Sequence, residues 1–225
     1  MLKPFCAMAG ALALVVLPGV SQAQTTVNSS RAGYVSNSGL VSTRSTNGDS
    51  QTGTAIDAIY LSYISFAVPA STSPFTSAVI RIELEGVTGG PNALRIYDVS
   101  SDISSASWPN LYNDFSTGTN FGGISGLSTS NQTVDITLNA SGLAAVNAAR
   151  GGEISFGVEN LPSTVGNFVF SGSDSSTVRQ LILTPTAATT PPSTIPTMSE
   201  WAMILFGLSL AGGAALYIQR RRMIV

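Results

Sequence analysis

Eighteen consecutive residues near the C-terminus, from Trp201 to Ile218, carry no charge, and Arg220, Arg221 and Arg222 follow almost at once. No other stretch of the 225-residue chain narrows the folding options as far. A helix that crosses a hydrocarbon core needs ~20 residues, with ~17 at the short end, so the run is long enough. In lipid the backbone finds no water and must satisfy its own donors and acceptors, which for a single segment means a helix. Trp201 and Tyr217 stand near the two ends, where amphipathic rings favour the membrane interface. The arginine triplet favours the cytoplasmic side. The alternative is a buried helix of a globular core. Such a helix keeps one polar face, and this run has almost none.

A Pro/Thr tract leads into the run and ends in Ile195-Pro196-Thr197-Met198-Ser199-Glu200-Trp201. Motif, apolar helix and basic stub together resemble the IPTL-CTERM sorting domain, which stands with the PEP-CTERM class of Gram-negative bacteria. Its pattern is Ile-Pro-Thr-Leu-Ser-Glu-Trp-Gly, then a transmembrane helix, then an arginine cluster. The chain matches at Ile195, Pro196, Thr197, Ser199, Glu200 and Trp201, and departs at Met198 (for Leu) and Ala202 (for Gly). The resemblance covers about the last thirty residues. It implies an exosortase, a membrane cysteine protease-transpeptidase, as partner. The precursor would rest transiently in the inner membrane. Cleavage near the motif would then send the ectodomain to the cell surface or extracellular matrix. On that implication residues 195–201 are a substrate sequence and none of them is catalytic.

The other end agrees with export. Met1-Leu2-Lys3 is a short positive start, residues 5–20 are apolar, and Ser21-Gln22-Ala23 places small residues at −3 and −1 of a cleavage site. This is the layout of a secretory signal peptide. The expected organisation is therefore a signal peptide at 1–23, an ectodomain at 24–184, a Thr/Pro linker at 185–194 and the sorting signal at 195–225. Within the signal, the motif occupies 195–201, the helix 201–218 and the basic stub 219–225. The linker is too polar and Pro-rich to bury a core and favours extended conformations.

The chain has no histidine, and its one cysteine, Cys6, falls inside the signal peptide. The usual zinc, copper and thiolate ligands are thus missing from the mature segment. A Ser-His-Asp triad and a Cys-His dyad are ruled out. No cofactor or metal is expected. Residues 24–194 hold six arginines, no lysine and eleven carboxylates, a net charge of −5 against −2 for the whole chain. That balance offers no electrostatic footprint for nucleic acid. Disulfides are not available to the mature segment, so burial alone must stabilise it.

Strand signals dominate the ectodomain. Residues 77–84 alternate, with Ala78, Ile80, Ile82 and Leu84 on one face and Ser77, Arg81 and Glu83 on the other. A period of two predicts a half-buried antiparallel strand. Residues 59–66, 93–99, 134–138, 153–158, 168–171 and 178–183 are further candidates. Turn residues separate them, as at Gly89-Gly90-Pro91-Asn92. One short helix is expected over 143–150, capped by Asn139 or Ser141 and stopped by Gly151, with Leu143 and Val146 facing the sheet. The expected class is all-β: an antiparallel β-sandwich or jelly roll with one short helix, plus the signal peptide and the single C-terminal transmembrane helix. The pieces 60–66, 75–82, 96–100, 112–122, 134–139 and 143–152 are similar to the all-β ectodomains of PEP-CTERM-type surface proteins. They are also similar to jelly-roll domains of the carbohydrate-binding-module type.

Three constellations are weighed for chemistry. Residues 100–131 read as a long loop, which marks function or mobility. They carry Trp108, Tyr112, Phe115 and Phe121 amid amides and hydroxyls. The four rings either form a platform for a sugar face or pin the loop to the sheet through buried area. Asp98, Asp102 and Asp114, with Asn110 and Asn113, offer oxygens for Ca²⁺ without a fixed loop spacing, or cap Asx turns. Glu83 and Glu85 share a strand face at a separation a glycosidase pair could use. The leading reading is a non-enzymatic exported surface or matrix protein, structural or adhesive, with exopolysaccharide as a possible contact. The alternative is a carbohydrate-active enzyme of jelly-roll fold.

Overall fold

The computed structural model describes residues 23–42, 48–172, 177–186 and 198–222. The expected signal peptide lies outside the described residues, as do Ile195, Pro196 and Thr197 of the motif. The chain divides at Ala187/Ala188 into a β body and a C-terminal unit.

The body pairs its named strands antiparallel, with one isolated parallel bridge between Thr54 and Val165. Its strands are β1 (Thr25–Ser36), β2 (Ser50–Thr54), β3 (Ile59–Ala67), β4 (Phe75–Leu84), β5 (Gly86–Thr88), β6 (Asn92–Asp98), β7 (Asn120–Leu127), β8 (Gln132–Thr137), β9 (Glu153–Leu161), β10 (Phe168–Ser171) and β11 (Arg179–Pro185). Two short helices join them, α1 (Trp108–Asp114) and α2 (Ala140–Ala148). One sheet runs β1-β11-β4-β8. The other runs β1-β3-β9-β6-β7, with β2, β10 and β5 continuing from the start of β3. The strand β1 belongs to both. Residues 25–28 pair with β11 and residues 29–36 with β3, with a bulge between Ser29 and Arg31. The all-β antiparallel class expected from the sequence is therefore what the chain forms, in an arrangement compatible with a sandwich or a jelly roll.

The alternation read in β4 holds residue by residue: Ala78, Ile80, Ile82 and Leu84 are buried, and Ser77, Arg81 and Glu83 turn outward. Opposite them lie Phe66 of β3, Ile96 of β6 and Phe156 of β9, each with no exposed surface. Phe156 is central, with the rings of Phe66 and Phe121 both centred 6.1 Å away. Burying side chains of this size stabilises by ~1.5–3 kcal/mol each before entropy is counted. The helix α2 caps one end of this core. Asn139 accepts from the Gly142 N–H at 3.0 Å, as an N-cap should. Val146 is fully buried, and Leu143 packs against the core half-buried, as the sequence predicts.

A second, smaller core covers the outer face of β1 and β3. Val35, Leu61 and Tyr63 meet Ile103, Leu111 and Phe115 there. This corrects the expectation of a long loop over 100–131. That stretch holds α1 and β7, so the body has two short helices rather than one. The contact is close: a Cβ on Gly157 would lie 2.5 Å from the Phe115 carbonyl. The strand β11 reaches Pro185, and Thr186 donates to the Pro74 carbonyl from both its N–H and its hydroxyl. Pro185, the first residue of the expected linker, thus belongs to β11, and Thr186 is tied to the residue before β4.

Candidate functional site

In the C-terminal unit, α3 (Met198–Arg222) is one continuous helix. Its apolar segment Trp201–Arg220 spans 20 residues and buries none of them. At 1.5 Å per residue that is about 30 Å, the thickness of a bilayer core. The helix begins two residues after Pro196, whose ring cannot be accommodated in a helix interior. Met198, Ser199, Glu200 and Trp201 therefore form its first turn. Arg220 falls in the last turn, where the helix dipole favours a cation. The Ser209 hydroxyl, in the middle of the apolar segment, is satisfied internally: it donates to the Leu205 carbonyl at 2.8 Å. A polar group without such a partner would be costly in hydrocarbon.

On the body, the four aromatic residues separate. Phe115 is fully buried against Tyr63, with ring centres 5.5 Å apart, and Phe121 is buried against Phe156 in the main core. Trp108 is 39% exposed and lies over Gly39, while Tyr112 is half-buried. The four do not make one exposed face; Trp108 and Tyr112, one helical turn apart on α1, are the pair left at the surface.

The carboxylates divide in the same manner. Asp114 accepts from the Ser100 and Ser101 N–H groups and from the Ser100 hydroxyl. Asp98 accepts from the Thr119 N–H at 2.6 Å. Asp102 caps its own turn through Ser104 and Ser105, and these bonds hold its carboxyl at about 2. Asp102 alone of the three is an Asx cap on its own turn, while Asp98 and Asp114 tie their segments to backbone 21 and 14 residues away. Among the described residues no three His, Cys, Asp or Glu side chains gather as a metal site would require. Glu83 accepts from the Val178 N–H and Glu85 from the Thr177 hydroxyl, so both clamp the approach to β11. Beside them Arg179 is buried and donates to the Ser171 and Gly172 carbonyls.

A cluster that the sequence did not single out lies on the outer face of β6 and β9. The Tyr97 hydroxyl donates to Glu159 at 3.1 Å. Burial, and then the Glu159 charge, push the Tyr97 hydroxyl up. The same two causes, in the same order, raise Tyr112. Its signal was present in the alternation of 93–99, whose outward residues include Arg95 and Tyr97.

Residues 194–222 match the family model of the IPTL-CTERM motif. The match covers the tail alone, from one residue before Ile195 to the last of the three arginines. The chain thus carries a C-terminal sorting signal of this type, for which the family implies an exosortase-type processing enzyme. No curated protein matches the chain.

Proposed function

We propose that this is an exported surface or matrix protein whose β body is displayed after an exosortase-type enzyme acts at the tail. In this reading the body is structural or adhesive, has no catalytic role, and contacts exopolysaccharide of a Gram-negative envelope. One observation carries the export reading: a motif-bearing turn runs directly into a bilayer-length helix that ends in three arginines. The body complements it. Its sheets close through their own core, and its last strand ends at Pro185, before the motif. A cut near 195–201 removes no strand. The exposed Trp108 and half-buried Tyr112 supply ring surface of the kind sugars favour. The carboxylates that a glycosidase would need, Glu83 and Glu85, are engaged in holding the chain before β11.

The test is the mass of the mature C-terminus in cells that express the processing enzyme. The expected mature form ends within or before the motif, and peptides extending beyond Trp201 in the mature pool overturn the processing reading. Pull-down on the cell's own polysaccharide tests the adhesive part separately.

A further inference from the structure

A trough of about 300 Å³ lies along β6 and β7, among Ala93, Arg95, Asn120, Gly123 and Ser125. Its floor is backbone because Gly123 cannot carry a side chain: a Cβ there would sit 2.4 Å from the Leu94 carbonyl. The neighbouring Gly122, at φ 137°, holds a conformation that disfavours other residues. One bare position on this face of β7 thus opens a channel that side chains wall on either side, while Gly122 faces the Thr137 carbonyl on the other side. Arg95 is exposed and makes no hydrogen bond or ion pair with any described residue. Across the β6–β9 register it stands opposite Glu159, whose carboxylate takes the Tyr97 hydroxyl. Asn120 pairs with Tyr97 across β6–β7 and lines the trough; its Oδ1 accepts from the Gly122 N–H at 2.9 Å and its amide reaches the Tyr97 hydroxyl, which leaves one amide hydrogen to donate.

We propose that this trough binds a neutral polysaccharide chain, with Arg95 and Asn120 donating to its hydroxyls, Glu159 accepting, and Tyr97 lying under a sugar ring. The proposal deepens the reading of the body as a glycan-contacting surface domain and rests on it. Three features select this ligand. The trough is open along its length, so a polymer can lie across it. Arg95 lines it and Glu159 stands opposite Arg95 across β6–β9, a cation and an anion that serve hydroxyls in both directions. The surrounding body carries a net charge of −5, which repels a polyuronate.

The test uses the full chain in detergent micelles, in affinity electrophoresis through gels containing dextran, galactomannan or alginate. Retardation by at least one neutral glycan and not by alginate is expected, with little sensitivity to salt. Arg95→Ala removes a donor, and Ser125→Tyr fills the trough from an exposed position. Each is expected to weaken retention about tenfold, a loss of ~1.4 kcal/mol, at an unchanged melting temperature. Thr133→Ala, at an exposed position of β8 away from the trough, is expected to leave retention intact. If Trp108→Ala abolishes binding while Arg95→Ala and Ser125→Tyr do not, the trough is wrong and the glycan-contacting reading stands. Retention by alginate that depends on Arg95 and vanishes in salt overturns the neutral ligand. If none of the three glycans retards the native chain, the trough and the glycan contact both fall, while the mass of the mature C-terminus still decides processing.

Discussion

The β body and the C-terminal helix are built from the same apolar residues and use them in opposite ways. In β4 every second residue is buried, and Arg81, between two buried isoleucines, reaches Asp135 on the outer face at 2.7 and 2.8 Å. In α3 every residue from Trp201 to Arg220 is exposed, including Phe206, Leu208 and Leu210. The body removes its apolar surface from water by folding on itself. Among the described residues of its unit nothing covers the helix, and entry into another apolar phase removes its surface from water. The arrangement of apolar residues, more than their number, decides which course a segment takes. The two regions should therefore respond independently to mutation.

The largest effect should come from the body's core. Phe156→Ala removes a fully buried ring between Phe66 and Phe121 and should cost ~3–5 kcal/mol. A lowered urea midpoint with unchanged membrane association is the expected result. The converse change is Leu210→Arg, near the middle of the apolar segment. It should disfavour insertion by ~2.5–3.5 kcal/mol and move the chain out of the membrane fraction, while the body melts as before. If either substitution changes both readouts, the two regions are coupled and the comparison fails.

Within the body the comparison sharpens at the seam between its two cores. Gly157→Ala forces a methyl against the Phe115 backbone and should cost ~1–3 kcal/mol as overpacking. If the urea midpoint did not move, the segment carrying α1 would not be seated on the sheet as described. Asn139→Ala removes the α2 cap, for ~1 kcal/mol. Its Nδ2 also donates to the Asn120 carbonyl at 2.8 Å, so hydrogen exchange should quicken in β7 as well as in α2.

The seven strands foreseen from sequence are those whose apolar residues alternate or cluster, such as β3, β4 and β11. The strand β1 escaped because its first half is nearly all polar (Thr25, Thr26, Asn28, Ser29, Ser30), with Val27 alone packing against the core, and full burial starts only at Ala32. It is a strand because β11 and β3 offer it edges, which no local pattern reveals. The strand β7 escaped because Gly122, Gly123 and Gly126 argue against any regular element. Two of those glycines are there because Leu94 and Thr137 carbonyls crowd the site. The helix α1 had a signal in Ser107-Trp108-Pro109, with proline in the first turn, but no apolar periodicity long enough to extend it. The sorting signal, by contrast, was legible, because the family pattern that residues 194–222 match is one of linear sequence. The aromatic quartet was not, since Phe115 and Trp108 share a segment and differ only in which neighbours the fold brings them.

The smallest effect concerns the bulge where β1 passes from one sheet to the other. Ser30 donates to Glu153 Oε1 at 2.7 Å, and Arg31 reaches both oxygens of the same carboxylate. Burial pushes the Glu153 carboxyl up, but the hydrogen bonds from Arg31 and Ser30, with the Arg31 charge, outweigh it and hold the carboxyl below its usual 4.5. A carboxylate depressed in the folded state stabilises above its unfolded value, and that contribution is lost as pH falls through the folded one. Because the pair is partly exposed, with side chains 22% and 36% accessible, screening limits the effect to about 0.5 kcal/mol. Asp102 and Asp135 are also depressed, so the intact protein weakens in acid for several reasons. The informative quantity is a difference. Between about pH 6 and about pH 3, the urea midpoint of Glu153→Gln should fall less than that of the parent chain. Equal falls would mean that the carboxylate does not hold the corner at which one strand serves two sheets.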